Sequence, residues 1–262
     1  MVHWVTTEGP EEVLAGMVWG RHRGRKGENG QHHGRPGSRG SPDPGSGILE
    51  NTIDAFLRSA RLGADGVELD VRLTRDGALA VHHDPVIPDV GPVADLEVCQ
   101  LPAHVPLLDA ALGACTGLTV NIEIKNLPTE RGFDPGERLA LAVGAVVAEL
   151  GTPENILVSS FWPPSLDAAI SGNPEIRTGL LAPPWLRGEE ALELAIDHGL
   201  GALHPEVSLL SPELVIAAHR VGLTVAAWTV NELPALRSAL DWGVDTVITD
   251  DVVSAAALVS AT

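Results

Sequence analysis

Short extended runs alternate with helical runs along most of this 262-residue chain, and that alternation limits its fold more than anything else. Extended runs are read at 67–74, 78–83, 118–126, 156–161, 177–181, 202–204, 223–230 and 244–249, with a further candidate at 12–19. Helical periodicity falls between them, and Gly63, Gly151, Gly199, Gly222 and Gly243 stand where helices would stop. The first helix, opening at Glu50, is read with Ile53, Phe56, Leu57 and Ala60 on its inner face. Strand and helix in alternation predict βα units and a parallel sheet. The strand count and length suit one α/β domain, an eight-stranded (β/α)8 TIM-like barrel, with an open sheet as the alternative.

The first 47 residues break the pattern. The stretch from Arg21 to Gly40 is crowded with arginine, histidine and glycine and has no apolar periodicity. Such a composition cannot bury a core. Residues 1–37 are therefore set apart from a barrel spanning 38–262. A formal net charge of −18 argues against nucleic acid or an anionic membrane as partner, because both reward Lys and Arg. Two cysteines do not make a disulfide framework. No basic segment followed by an apolar run opens the chain, and no apolar run is long enough to span a bilayer, so a cytoplasmic protein is expected.

The chemistry concentrates in Gly66 to Pro85, GVELDVRLTRDGALAVHHDP. It reads as two extended arms joined by the turn Arg75-Asp76-Gly77. On the first arm Glu68, Asp70 and Arg72 share a face, because successive strand side chains alternate. The return arm brings His83 roughly across from Leu69 and Asp70. Two neighbouring acids on a strand are costly without positive charge between them, and a divalent cation with oxygen ligands would meet that need. A solvated face with Arg72 as counter-charge is the plainer reading. Barrel active sites draw on the C-terminal ends of several strands. Polar residues so placed are Glu68, Asp70, His83, Glu123, Lys125, Ser160, His204, Trp228, Thr229, Asn231 and Asp250. Glu123 and Lys125, from a separate strand, would add a third carboxylate and strengthen the hard-cation reading. Trp228 suits core and substrate wall equally, and Asp250 could instead cap the last helix.

The ordered set Glu50-Asn51-Thr52, GADGVELDVRLTRDG, VHHDP, NIEIK, SSF, AWTVN and VITD resembles the glycerophosphodiester phosphodiesterases over residues 38–262. The resemblance implies a TIM-like barrel and a divalent metal, Ca²⁺ or Mg²⁺, held by Glu68, Asp70 and Glu123. It implies His83 as a catalytic histidine, with His82 beside it, and Lys125 and Glu50 near the bound phosphate. Trp228 is carried as a candidate substrate-binding residue. The implied substrate is a small glycerophosphodiester, cleaved to sn-glycerol 3-phosphate and an alcohol.

One departure stands out. The family opens with a strand running into His-Arg-Gly, whose histidine is the second acid/base. Counting back from Glu50 gives Ser38-Arg39-Gly40 here. Arg39 keeps the phosphate-binding arginine, but Ser38 cannot exchange a proton near neutral pH. His22-Arg23-Gly24 is the second reading, with residues 25–47 as an inserted loop, and His32 or His33 could also reach in from that loop. A third reading has the first 37 residues foreign to the family's N-terminus. A catalytically impaired barrel that still binds phosphodiesters is the alternative function.

Overall fold

The computed structural model describes residues 2–6, 48–151 and 153–259. Its elements run β1 (Val2–Thr6), α1 (Ile53–Arg61), β2 (Gly66–Leu73), β3 (Leu79–Val81), β4 (Val86–Ile87), β5 (Gly91–Pro92), α2 (Leu108–Ala114), β6 (Thr119–Ile124), α3 (Arg138–Leu150), β7 (Ile156–Ser160), α4 (Pro163–Gly172), β8 (Arg177–Ala182), α5 (Gly188–Asp197), β9 (Ala202–Pro205), α6 (Pro212–Arg220), β10 (Thr224–Ala227), α7 (Leu233–Asp241), β11 (Thr246–Thr249) and α8 (Val252–Val259). The order around the sheet is β1-β11-β10-β9-β8-β7-β6-β2, and a β1–β2 pairing closes it. This is the expected eight-stranded α/β barrel. The helices pack outside it, and their buried Leu, Val and Ala side chains join the outer faces of the strands in one core.

Seven strands run parallel, but β1 is antiparallel to both neighbours, pairing Trp4 with Ile248 and Val2 with Glu68. The strand candidate at 12–19 lies outside the described residues. The five residues of β1 are too few for alternation to stand out in a sequence. β2 is the longest strand, and its free edge is shared. Val67 and Glu68 face β1, while Val71 to Leu73 face β3 across the Arg75–Gly77 turn. β2 therefore projects beyond the barrel rim and carries a hairpin there.

The inner face of α1 differs from the expected one. Thr52 caps the helix by accepting the Ala55 N–H at 3.3 Å, and the buried positions are Ala55, Phe56 and Ser59, while Leu57 is exposed. The cap sets the helical phase, which the apolar residues alone misread. The segment 84–104, Pro-rich and without a clear period in the sequence, is packed. The β4–β5 ribbon and two short 3₁₀ turns bury Ile87, Val93, Leu96 and Val105 against Ala80 of β3. The end of the hairpin is thus backed by a small apolar cluster of its own. The regular strand ends at Ala227, short of the expected Val230, but Trp228 keeps contact with β9: its N–H donates to the Pro205 carbonyl at 3.0 Å, and it bridges Glu206 in parallel.

Candidate active site and metal centre

β2 and β6 lie side by side in parallel, with Glu68 level with Asn121 and Asp70 level with Glu123. Their two-residue period sends these side chains into the barrel in layers. In the lower layer Asn121 donates to Ser159 Oγ at 2.6 Å. Glu68 shares that layer, and Asp70 and Glu123 stand in the one above; all three acids are buried, and each offers an oxygen within 4.8 Å of the others. Lys125, one layer higher on the β6 side, sends Nζ to Glu123 and to Asp70 Oδ1, the latter at 3.0 Å.

Among the described residues, three buried carboxylates thus gather beside the Lys125 ammonium. Like charges at this spacing are unfavourable in a water-poor interior unless neutralised. The donor set is all oxygen and anionic, which is what a hard divalent cation requires. The residues present fit such an ion.

Asn51 is a site residue that sequence reasoning left without a role. Its side chain straddles Asp70, with Nδ2 donating to Oδ2 at 2.8 Å and Oδ1 accepting the Asp70 N–H at 3.1 Å. Asn51 takes the left-handed backbone region (φ 57°), which asparagine tolerates better than most residues. An Asx side chain just before a helix cap was the available signal. Glu50, beside it, lies close enough to His82 to favour that ring's charged form.

The His82 N–H donates to the Asp70 carbonyl at 2.9 Å, so the return arm is fixed at the depth of the acids. Burial, the largest influence, pushes the His82 imidazole below the usual histidine range, and Arg72 acts in the same direction. His83 Nδ1 lies 2.7 Å from Asp84 Oδ1. A carboxylate only accepts, so Nδ1 carries the proton and proton exchange falls to Nε2. Arg72 is not a solvated counter-charge. It is buried, it holds the His83 carbonyl, and it pairs with Glu130.

The model for the glycerophosphoryl diester phosphodiesterase family matches residues 22–254. The chain belongs to that family. The glycerophosphodiester phosphodiesterase of Caldanaerobacter subterraneus is 32% identical over 230 residues, covering 78% of this chain and 89% of that protein. The solved glycerophosphodiester phosphodiesterase of Thermotoga maritima is 26% identical, with a TM-score of 0.68 over 80% of this chain and 92% of that one. An Oleispira antarctica phosphodiesterase, solved with the product sn-glycerol-3-phosphate, is 22% identical, with a TM-score of 0.69 over 80% of this chain and 91% of that one.

The family match begins at His22, ahead of the boundary expected at residue 38. His22, His32, His33, Ser38 and Arg39 all lie outside the described residues. In the described part of this phosphodiesterase-family barrel, the remaining late-strand candidates separate into two groups. His204 and Trp228 belong to the barrel interior. The Trp228 indole N–H donates to the His204 carbonyl at 2.6 Å, and its ring meets Phe161 edge-on at 5.6 Å. Phe161 in turn lies 6.0 Å below the Lys125 ammonium. His204 is fully buried, and burial pushes its imidazole down to about 3 against the opposing pull of Glu123, so the ring is neutral at physiological pH.

Ser160 and Asn231 serve the framework. Ser160 donates to the Ile124 carbonyl at 3.1 Å. Asn231 clasps the loop after β11 by accepting the Asp250 N–H at 2.8 Å. The cap of α8 is Asp251, which accepts the Ser254 N–H at 3.1 Å, and not Asp250. Among the described residues no helix is long and apolar enough to cross a membrane.

Proposed function

We propose that this chain hydrolyses glycerophosphodiesters to sn-glycerol 3-phosphate and an alcohol with a divalent cation, Ca²⁺ or Mg²⁺, held by Glu68, Asp70 and Glu123. The observation that carries this reading is the convergence of those three buried acids beside Lys125, with the return arm bearing His83 tied to Asp70. The product bound by the Oleispira relative and the names of the curated relatives support the same substrate class.

A bound divalent ion supplies charge neutralisation of the phosphodiester's non-bridging oxygens. The chain's own groups do the rest. Lys125 adds a positive charge at the edge of the acidic cluster, and Arg39 is the phosphate-binding arginine that the family resemblance implies. His83 exchanges a proton through Nε2 while Asp84 holds the opposite nitrogen protonated. A second histidine on the other side of phosphorus completes acid/base catalysis; this reading takes His22, in the triplet His22-Arg23-Gly24, for that role, and a family match that already includes residue 22 supports it. Glu50 and the Trp228–Phe161 pair form the substrate-facing surroundings. On this reading the protein works in the cytoplasm on phospholipid headgroup diesters, with no nucleic-acid partner.

The test is release of glycerol 3-phosphate from glycerophosphocholine with Ca²⁺ or Mg²⁺, on the full chain and on His83→Ala, His22→Ala and Ser38→His. Metal-dependent release lost in His83→Ala and in His22→Ala supports the reading. Release only after Ser38→His would establish the impaired, binding-only barrel instead. No release from either chain would overturn the assignment.

A further inference from the structure

We infer that Arg72 is a positioning residue for the His83 general acid/base, clamping the backbone of that histidine to the strand that carries the metal-ligand acids. The inference rests on the functional reading above. The β2–β3 ladder ends at Val81, and the His82 N–H makes one more main-chain bond to the Asp70 carbonyl just before His83. A side chain takes over. Arg72 Nε and Nη2 donate to the His83 carbonyl at 2.9 and 2.6 Å.

The same guanidinium reaches two further anchors. Nη2 lies 2.8 Å from Glu130 Oε2, in the loop after β6. Nη1 lies 3.5 Å from the carbonyl of Lys125. Arg72 is buried, and it sits two residues beyond Asp70 on the same face of β2. One planar fork therefore ties together the strand of Glu68 and Asp70, the backbone of His83 and the end of the strand bearing Glu123 and Lys125. Lysine, with a compact charge on a flexible stem, cannot reproduce that fork. Charge-assisted bonds to a carbonyl are strong in a buried setting, so the histidine's main chain has little freedom to drift.

A merely structural arginine would seal the hairpin and influence stability alone. A positioning arginine changes the setting of His83 and the rate of the chemical step. The experiment uses the full chain and its Arg72→Met, Arg72→Lys and Glu130→Gln variants. Imidazole nitrogen spectra are recorded on ¹⁵N-histidine protein without added metal, with the His83 signal identified by its loss in His83→Gln. The expected result is a shifted or broadened His83 signal in Arg72→Met, a partial return in Arg72→Lys, and a smaller change of the same kind in Glu130→Gln.

In turnover, Arg72→Met should lower kcat by roughly 10- to 100-fold and leave KM within about 3-fold, since misplacement of a catalytic group acts on the transition state. The same substitution in a His83→Ala background should add little. An unchanged His83 signal in folded Arg72→Met overturns the inference. If Arg72→Met does not fold, an unchanged signal in Glu130→Gln does the same. An inactive parent chain would count against the functional reading alone, because the nitrogen spectra need no turnover.

Discussion

The two sides of the barrel interior hold their polar groups in opposite ways. On the β2/β6 side, Glu68, Asp70, Glu123 and Lys125 stand in adjacent layers, buried and ionisable, with Lys125 paired to Asp70 and Glu123 and Asn51 strapping Asp70. On the β9/β10 side, His204 is as deeply buried, yet burial keeps it neutral against the pull of Glu123, and the Trp228 that donates to its carbonyl packs edge-on against Phe161. The difference follows from solvation. A buried charge persists only where an opposite charge or several donors replace water, and elsewhere the group gives up its charge. One wall thus carries an all-oxygen acidic cluster that fits a cation, and the other is a neutral surface beside it.

The sharpest way to break this contrast is to remove the charge that balances the acidic side. Lys125→Met leaves carboxylates buried without their ammonium and should cost about 3–5 kcal/mol in metal-free protein. Thermal unfolding with and without Ca²⁺ checks it, and the ion should restore more stability to the variant than to the parent. The neutral side is more sensitive to shape. A Cβ at Gly179 would lie 2.7 Å from His204 Nε2, so Gly179→Ala must displace the imidazole. Overpacking of this kind should cost about 1–3 kcal/mol in denaturant unfolding.

His204 also makes the neutral side pH-sensitive. Its folded-state value of about 3 lies below the ordinary 6.5, so the unfolded chain binds the extra proton first as pH falls. Stability from this group is complete above about 6.5 and is lost progressively as pH drops toward 3. At pH 5 the loss should be about 2 kcal/mol relative to pH 7. The difference in stability between pH 7 and pH 5 should shrink by that amount in His204→Gln. The smallest expected effect concerns the Asp70 strap. Asn51→Ala removes both bonds to Asp70 and should weaken ion affinity by roughly 10-fold, measured by calorimetry, with little change in fold.

Much of the charged side was legible in the sequence, because a two-residue period on two adjacent strands fixes which acids share a layer. Glu68, Asp70, Glu123 and Lys125 could be read that way, and the barrel followed from strands alternating with helices. What stayed hidden depended on partners distant in sequence. Arg72 looked like a counter-charge because nothing in ELDVRLT shows a carbonyl eleven residues away accepting its fork. Asn51 looked like part of a helix start because its partner lies 19 residues on. The face of α1 followed its Thr52 cap rather than its apolar residues, and β1 joined the barrel antiparallel through main-chain bonds that no periodicity reports.

The central claim is that Glu68, Asp70 and Glu123 together hold a divalent cation. Calorimetric titration of Ca²⁺ into the full chain and into Glu123→Gln tests it most directly. One saturable site is expected in the parent chain, and its loss in the variant. Equal binding by both chains, or none by the parent with either Ca²⁺ or Mg²⁺, would contradict it.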